Sequence, residues 1–192
     1  MRSRILGLVL CLVVLPAVAG CSPGDSSASA GSADAGSPSV SAPPPPSSPG
    51  PEMDALYAEA ERVFLRSLEL RDQFELRGDF SEFPPELSDL LADRYLTSVH
   101  ELYDFYKDKG WHSPEGAVPI TTVGRYPGAS KAGSEVALQA CMDTRPTPSL
   151  DDSGQIVSEG KLYRLELFFG HFDGRLKLFD GSSSEVLECT LG

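Results

Sequence analysis

The spacing of apolar residues changes once along this chain, at Gly110, and that change points to a fold in which helices precede a sheet. From Glu52 to about Gly78, Leu56, Ala60, Val63 with Phe64, Leu68 and Phe74 recur at helical intervals, as one face of a 3.6-residue period requires. Pro51 stands where a helix can start and Gly78 where it can end. Pro84-Pro85-Glu86 opens a second, short helical stretch through Leu90 and Leu91. Tyr95, Val99, Leu102, Tyr103 and Tyr106 then form a third stripe that stops at Gly110. Acidic residues open the first helix, and Lys107 and Lys109 close the third, as the helix dipole favours.

Beyond Gly110 the period is two. Val118 to Val123 reads as a strand. In Glu135 to Asp143, Val136, Leu138, Ala140 and Met142 face one way, and Gln139, Cys141 and Asp143 the other. In Lys161 to Phe172, Tyr163, Leu165, Leu167 and Phe169 alternate with Arg164 and Glu166. Asp173-Gly174 is a two-residue hairpin turn into Arg175 to Phe179. Glu185 to Cys189 reads as a last short strand, and the Pro- and Asp-rich stretch 145–160 as a long loop. The expected class is α+β: three N-terminal helices packed on a curved antiparallel sheet of four to five strands, over residues 51–192.

Residues 1–20 have a different character. Arg2 and Arg4 precede an apolar run from Ile5 to Leu15, closed by Pro16 and small residues; this is a secretory signal, too short for a membrane span of roughly twenty apolar residues. Val18-Ala19-Gly20-Cys21 resembles the bacterial lipobox. That resemblance implies cleavage before Cys21, acylation of its sulfur, and attachment to the outer face of the cell membrane. Two or three acyl chains, at about 0.8 kcal/mol per buried CH₂, hold a protein on a bilayer far better than one. Of the four Cys, Cys11 then leaves with the signal and Cys21 carries lipid, so Cys141 and Cys189 remain. Outside the cytoplasm an even remainder reads as a disulfide. After Cys21, all residues to Gly50 except Asp25, Asp34 and Val40 are Ser, Ala, Gly or Pro. Such a segment has almost nothing to bury, so 21–50 is expected to be a lipidated Cys and a disordered tether, spanning about 30 Å as a coil.

The folded part also carries a resemblance. Ala140-Cys141-Met142-Asp143, the hairpin Asp173-Gly174-Arg175-Leu176-Lys177-Leu178 and Cys189 are similar to segments of the small NTF2-like (SnoaL-like) lipoproteins of actinobacteria, over about 52–190. Leu176 departs from that pattern, standing where the family often has Trp. The resemblance implies an NTF2-like cone with a pocket between helices and sheet. Isomerase-like relatives use an Asp with Tyr and acid donors there, and cyclase-like relatives an Asp–His pair.

The residues at hand for such chemistry are Tyr57, Tyr103, Asp104, Asp143, Glu166 and His171, and none aligns with those catalytic motifs, so no catalytic residue is assigned. Tyr57 and Tyr103 read first as core aromatics whose hydroxyls reach water, Glu166 with Arg164 as a solvated pair, and His171 as a surface residue. His100 has no visible partner. Tyr57, Tyr103, Trp111 and His112 are the candidate pocket-lining residues. Lys+Arg number 16 against 28 Asp+Glu, a net charge of −12, which argues against nucleic-acid binding. The chain has no GxSxG, P-loop, HExxH or dinucleotide fingerprint, and no metal or cofactor is expected. The reading that follows is a membrane-anchored, extracytoplasmic lipoprotein binding a small apolar ligand or an envelope protein. An isomerase- or cyclase-like enzyme using a pocket Asp and Tyr is the alternative, and a scaffold with a filled cone a third.

Replacing Cys21 with Ser should abolish incorporation of radiolabelled acyl chains and release the protein from the membrane fraction. Undiminished labelling of C21S would refute lipidation at that position.

Overall fold

The computed structural model describes residues 50–116 and 118–191. The signal, Cys21 and the tether therefore lie outside the described residues. The element order is α1 (Pro51–Arg77), α2 (Pro85–Leu90), α3 (Asp93–Lys109), β1 (Ile120–Arg125), β2 (Val136–Asp143), β3 (Ser149–Leu150), β4 (Ile156–Ser158), β5 (Leu162–Phe172) and β6 (Arg175–Glu185). Three helices are followed by a curved, antiparallel, four-stranded sheet in the order β1-β2-β5-β6, with β3 and β4 forming a separate small hairpin. The α+β class is thus as the change of period at Gly110 indicates. Among the described residues no helix is long and apolar enough to cross a membrane.

The helix ends follow local chemistry. Pro51 occupies the first turn of α1, where a missing N–H costs nothing. Gly78 ends α1 in the left-handed conformation, its N–H donating to the Glu75 carbonyl. The buried residues of α1 are Tyr57, Ala60, Val63, Phe64, Ser67, Leu70 and Phe74, a helical stripe laid against one face of the sheet. On that face register brings Leu138 opposite Leu167 and Ala140 opposite Leu165. Phe64, Phe74, Leu87, Leu91, Leu138, Leu167, Phe169 and Leu178 are almost wholly excluded from water. At about 1.5–3 kcal/mol per large apolar side chain, this shared layer is the main stabilising contribution. The α2–α3 joint is pinned to the sheet by a bridge between Leu91 and Leu178, with the Ala92 N–H donating to the Leu178 carbonyl.

The hairpin between β5 and β6 turns at Asp173-Gly174, both at positive φ (52° and 76°), the pairing a two-residue turn requires. A register shift at Phe168/Phe169 leaves Phe179 unpaired between Leu178 and Asp180, and on the far side of the sheet it joins Ala92, Ala137 and Phe168 in a second small core. The sheet is therefore covered on both sides at this end, and Ala137 and Gln139 are buried as well as their neighbours. Simple alternation misses this.

Three expectations are corrected. The segment Glu185 to Cys189 is not a separate strand: β6 runs unbroken for 11 residues to Glu185, and the chain then leaves the sheet. The stretch 145–160 is not structureless, since β3 and β4 pair within it. Arg164 and Glu166 do not pair with each other. Arg164 donates through Nη2 to the Thr190 carbonyl at 2.8 Å, while Glu166 accepts from Tyr126 and Ser182. The physical reason is the tail. Cys141, on the face of β2 away from the helices, is bridged to Cys189 with Cα atoms 5.8 Å apart, which straps residues after Glu185 across the outer face and places Leu191 over Gly124.

The bridge closes a loop with a sequence separation of 48. Cys189→Ser should lower stability in urea unfolding by about 2–4 kcal/mol on the chain-entropy estimate. An unchanged midpoint would show that the strap adds nothing to the folded state.

Candidate functional site

The apolar stripe of α1 does not stop at Leu68; it continues as charge. Phe64, Leu68, Arg71 and Glu75 follow one another at steps of four, three and four residues, so all four share one helical face. Arg71 Nε donates to the Tyr103 hydroxyl at 3.1 Å, and that hydroxyl donates to Glu75 Oε1 at 2.9 Å. Ser113 Oγ donates to Glu75 Oε2 at 3.1 Å, and Arg71 Nη2 stands 3.9 Å from Oε1. The side chains of Arg71 and Glu75 are only 17% and 18% exposed. Charges so far from bulk water persist only when hydrogen-bonded and paired.

The electrostatics follow from this crowding. Burial works against the Arg71 charge, but the oxygens of Tyr103, Tyr95 and Glu75 more than offset it, so its pKa stands above the ordinary arginine value. Burial pushes the Tyr103 hydroxyl far above the ordinary tyrosine value, with Arg71 opposing and Glu75 adding. Asp72, half-buried beside them, is pushed up to about 6 by burial first and by the Glu75 charge second, with Arg71 opposing.

Two neighbouring cavities, of about 370 and 330 Å³, open between the helices and the inward face of the sheet. Each volume is within the range of small-molecule sites. They share Leu68, Arg71, Leu102, Met142 and Ser183. The first extends beneath the β3–β4 hairpin and includes Asp72, Glu75, Tyr106 and Tyr163. The second runs under the first half of α3 past Arg94, Tyr95 and Ser98. Tyr106 anchors the hairpin above the first cavity through a 3.3 Å hydrogen bond between its hydroxyl and Ser149 Oγ.

Of the residues singled out from sequence, Tyr103 is the one whose polar atom meets this site, and its hydroxyl contacts charged groups rather than water. Tyr57 is buried away from both cavities under the Arg125 guanidinium, 4.9 Å from its ring centre. Trp111 and His112 line a separate cleft of about 220 Å³ with Asp152, and His112 is bridged by its backbone to Leu150. His100 stacks on Phe83 at 3.8 Å. Asp104 is exposed on α3. Asp143 accepts from the backbone and guanidinium of Arg145, which hold it down to about 2. His171 Nδ1 lies 2.8 Å from Glu135 Oε1. Arg71, Asp72, Glu75 and Arg94 were not among the sequence candidates, although Arg71 and Glu75 interrupt an apolar stripe at the very spacing that marks the buried face. Among the described residues no group of three or more His, Cys, Asp or Glu side chains is placed to hold a metal ion.

Tyr103→Phe should cost about 1–3 kcal/mol in urea unfolding, because it leaves buried Arg71 and Glu75 atoms unpartnered; an unchanged stability would show that water replaces the hydroxyl at no cost. For Asp72 the sign runs the other way. Its folded pKa, about 6, lies above the ordinary 3.8, so the stability linked to its proton is complete below 3.8 and lost as pH rises through 6. Asp72→Asn should therefore match the parent near pH 4 and exceed it by on the order of 2 kcal/mol at about pH 7.5. Stability curves that stay parallel across that interval would overturn the assignment. No family model matches this chain, nor does any curated protein, so function must be reasoned from this geometry.

Proposed function

We propose that the chain is a lipoprotein held on the outer face of the cell membrane through Cys21, with an NTF2-like domain that binds a small amphipathic ligand. The observation that carries the ligand reading is the pair of adjoining cavities that share Arg71 as part of their wall. The wall mixes Leu68, Leu102 and Met142 with charged groups, so the apolar ligand expected from sequence becomes one with an apolar body and a polar end. Convergent polar groups in an otherwise apolar pocket fix a ligand's orientation, while the apolar lining supplies most of its affinity. The order of long helix, short helix and long helix before a curved antiparallel sheet supports the NTF2-like reading, as does a cavity on the helix-facing side. The Ser-, Ala-, Gly- and Pro-rich segment before Gly50 would lift this domain off the lipid surface.

The enzyme alternative has one observation in its favour: Asp72 lines the first cavity and titrates near 6, a range suited to a general base. Against it, the Tyr103 hydroxyl already donates to Glu75 and is not free to stabilise a developing oxyanion.

Leu102 lines both cavities, so Leu102→Trp should fill them at a packing cost of about 1–3 kcal/mol. Native mass spectrometry of the full chain isolated from membranes should show a small-molecule adduct on the parent and none on L102W. A parent mass with lipid but no further adduct, or an adduct that survives the substitution, would overturn the ligand reading.

A further inference from the structure

The two cavities differ in charge, and the difference identifies which end of a ligand each can take. The cavity under the hairpin has Asp72, Glu75 and Glu159 facing a single guanidinium. The cavity under α3 has two guanidiniums, Arg71 and Arg94, and no carboxylate among its lining residues. In a chain of net charge −12, a recess lined by two cationic side chains and no carboxylate favours an anionic group over a cationic one.

Both guanidiniums have donors to spare. Arg71 uses only Nε in a hydrogen bond, and its Nη2 stands 3.9 Å from the nearest Glu75 oxygen. Arg94 is exposed at the start of α3 and has no hydrogen bond or ion pair among the described residues. Ser98 and Ser183 add hydroxyls to the same wall, and Val99, Leu165 and Leu167 provide an apolar floor. Space for an occupant depends on Gly181: a Cβ there would lie 2.9 Å from the Glu166 carbonyl and 3.1 Å from the Tyr95 ring. Any side chain at this position would drive Tyr95, itself part of the wall, out of place.

We infer that the cavity under α3 binds the carboxylate head of a small organic acid, held by Arg71 and Arg94, with its apolar body on the Val99, Leu165 and Leu167 floor. A planar guanidinium fork matches the two oxygens of a carboxylate, and charge-assisted hydrogen bonds of this kind are roughly twice as strong as neutral ones. The carboxylates of the adjoining cavity repel the head, which fixes the direction in which the acid lies. This inference rests on the ligand-binding reading above and adds the charge and orientation of the ligand.

The test titrates the full chain, reconstituted in phosphatidylcholine nanodiscs with empty nanodiscs as the blank, by calorimetry. The probes are 4-phenylbutyrate, 4-phenylbutanol and 4-phenylbutylamine, which share one body and differ in head. The carboxylate should bind about tenfold or more tighter than the alcohol and amine, an advantage of about 1.4 kcal/mol. Arg94→Gln should remove most of that advantage, weakening the carboxylate far more than the alcohol. Equal affinity for the three heads, tighter binding of the amine, or an unaltered carboxylate affinity in R94Q would overturn the inference while leaving the ligand-binding reading intact. Binding of none of the three would overturn this inference, while the ligand-binding reading stands or falls on the adduct measurement above.

Discussion

One buried charge organises the helical layer. Removing a guanidinium from water costs several kcal/mol even after the protein relaxes around it, and Arg71 meets that cost by bonding across to α3. Its partner there, Tyr103, is itself locked by aromatic neighbours: the Phe74 ring meets it edge-on at 4.9 Å, and Phe80 stacks on it at 5.5 Å. The aromatic cluster fixes the ring, the ring fixes the hydroxyl, and the hydroxyl fixes both charged groups of α1. The relative register of α1 and α3 is thereby set at the point where the apolar core ends. Beyond it the layer cannot close as a dry interface, because Asp72, Glu75 and Arg71 need polar company, and the cavities occupy that position.

Much of this architecture could be read in the residues. Pro51, Gly78 and Gly110 mark helix ends, the stripes of α1 and α3 mark the buried faces, and Asp173-Gly174 marks the β5–β6 turn, because each depends on local chemistry alone. What escaped reading depends on partners far along the chain. The Cys141–Cys189 bridge is legible from the cysteine count, but the course of the tail it fixes is not, because that depends on where β2 lies in the sheet. The burial of Ala137 on the outer face depends on Ala92, Phe168 and Phe179, which pack against it from other elements. The charged site was legible in principle, since Arg71 and Glu75 extend the stripe of Phe64 and Leu68. It passed unnoticed because a charge on a helix is read first as solvated, and only the position of Tyr103 on another helix shows that these are not.

The two faces of the sheet solve different problems. The inward face is a close-packed layer under the helices. On the outer face, polar residues of adjacent strands are taken up by the tail and by the β1–β2 connection: Arg164 by the Thr190 carbonyl, Asp180 by Lys131 at 2.7 Å. Strapping the tail here also seats Leu191 over Gly124, where the lack of a side chain leaves room for it on the outer face of β1.

A scaffold built for stability alone has little use for the Arg71 network. Replacing a buried ion pair by apolar side chains of similar volume is often neutral or stabilising, whereas removing one member of the pair is costly. A filled cone would be served at least as well by Leu or Met at those positions, with Tyr103 replaced by Phe. The observed arrangement instead keeps two charges largely shielded from water, raises the pKa of a third group, and turns guanidinium groups toward the cavity under α3. That combination sacrifices stability in one region of a domain that otherwise packs densely. Such a concession is intelligible where the space is meant to be occupied, since a bound anion would satisfy the donors that the fold itself leaves open and would stabilise the folded state by mass action.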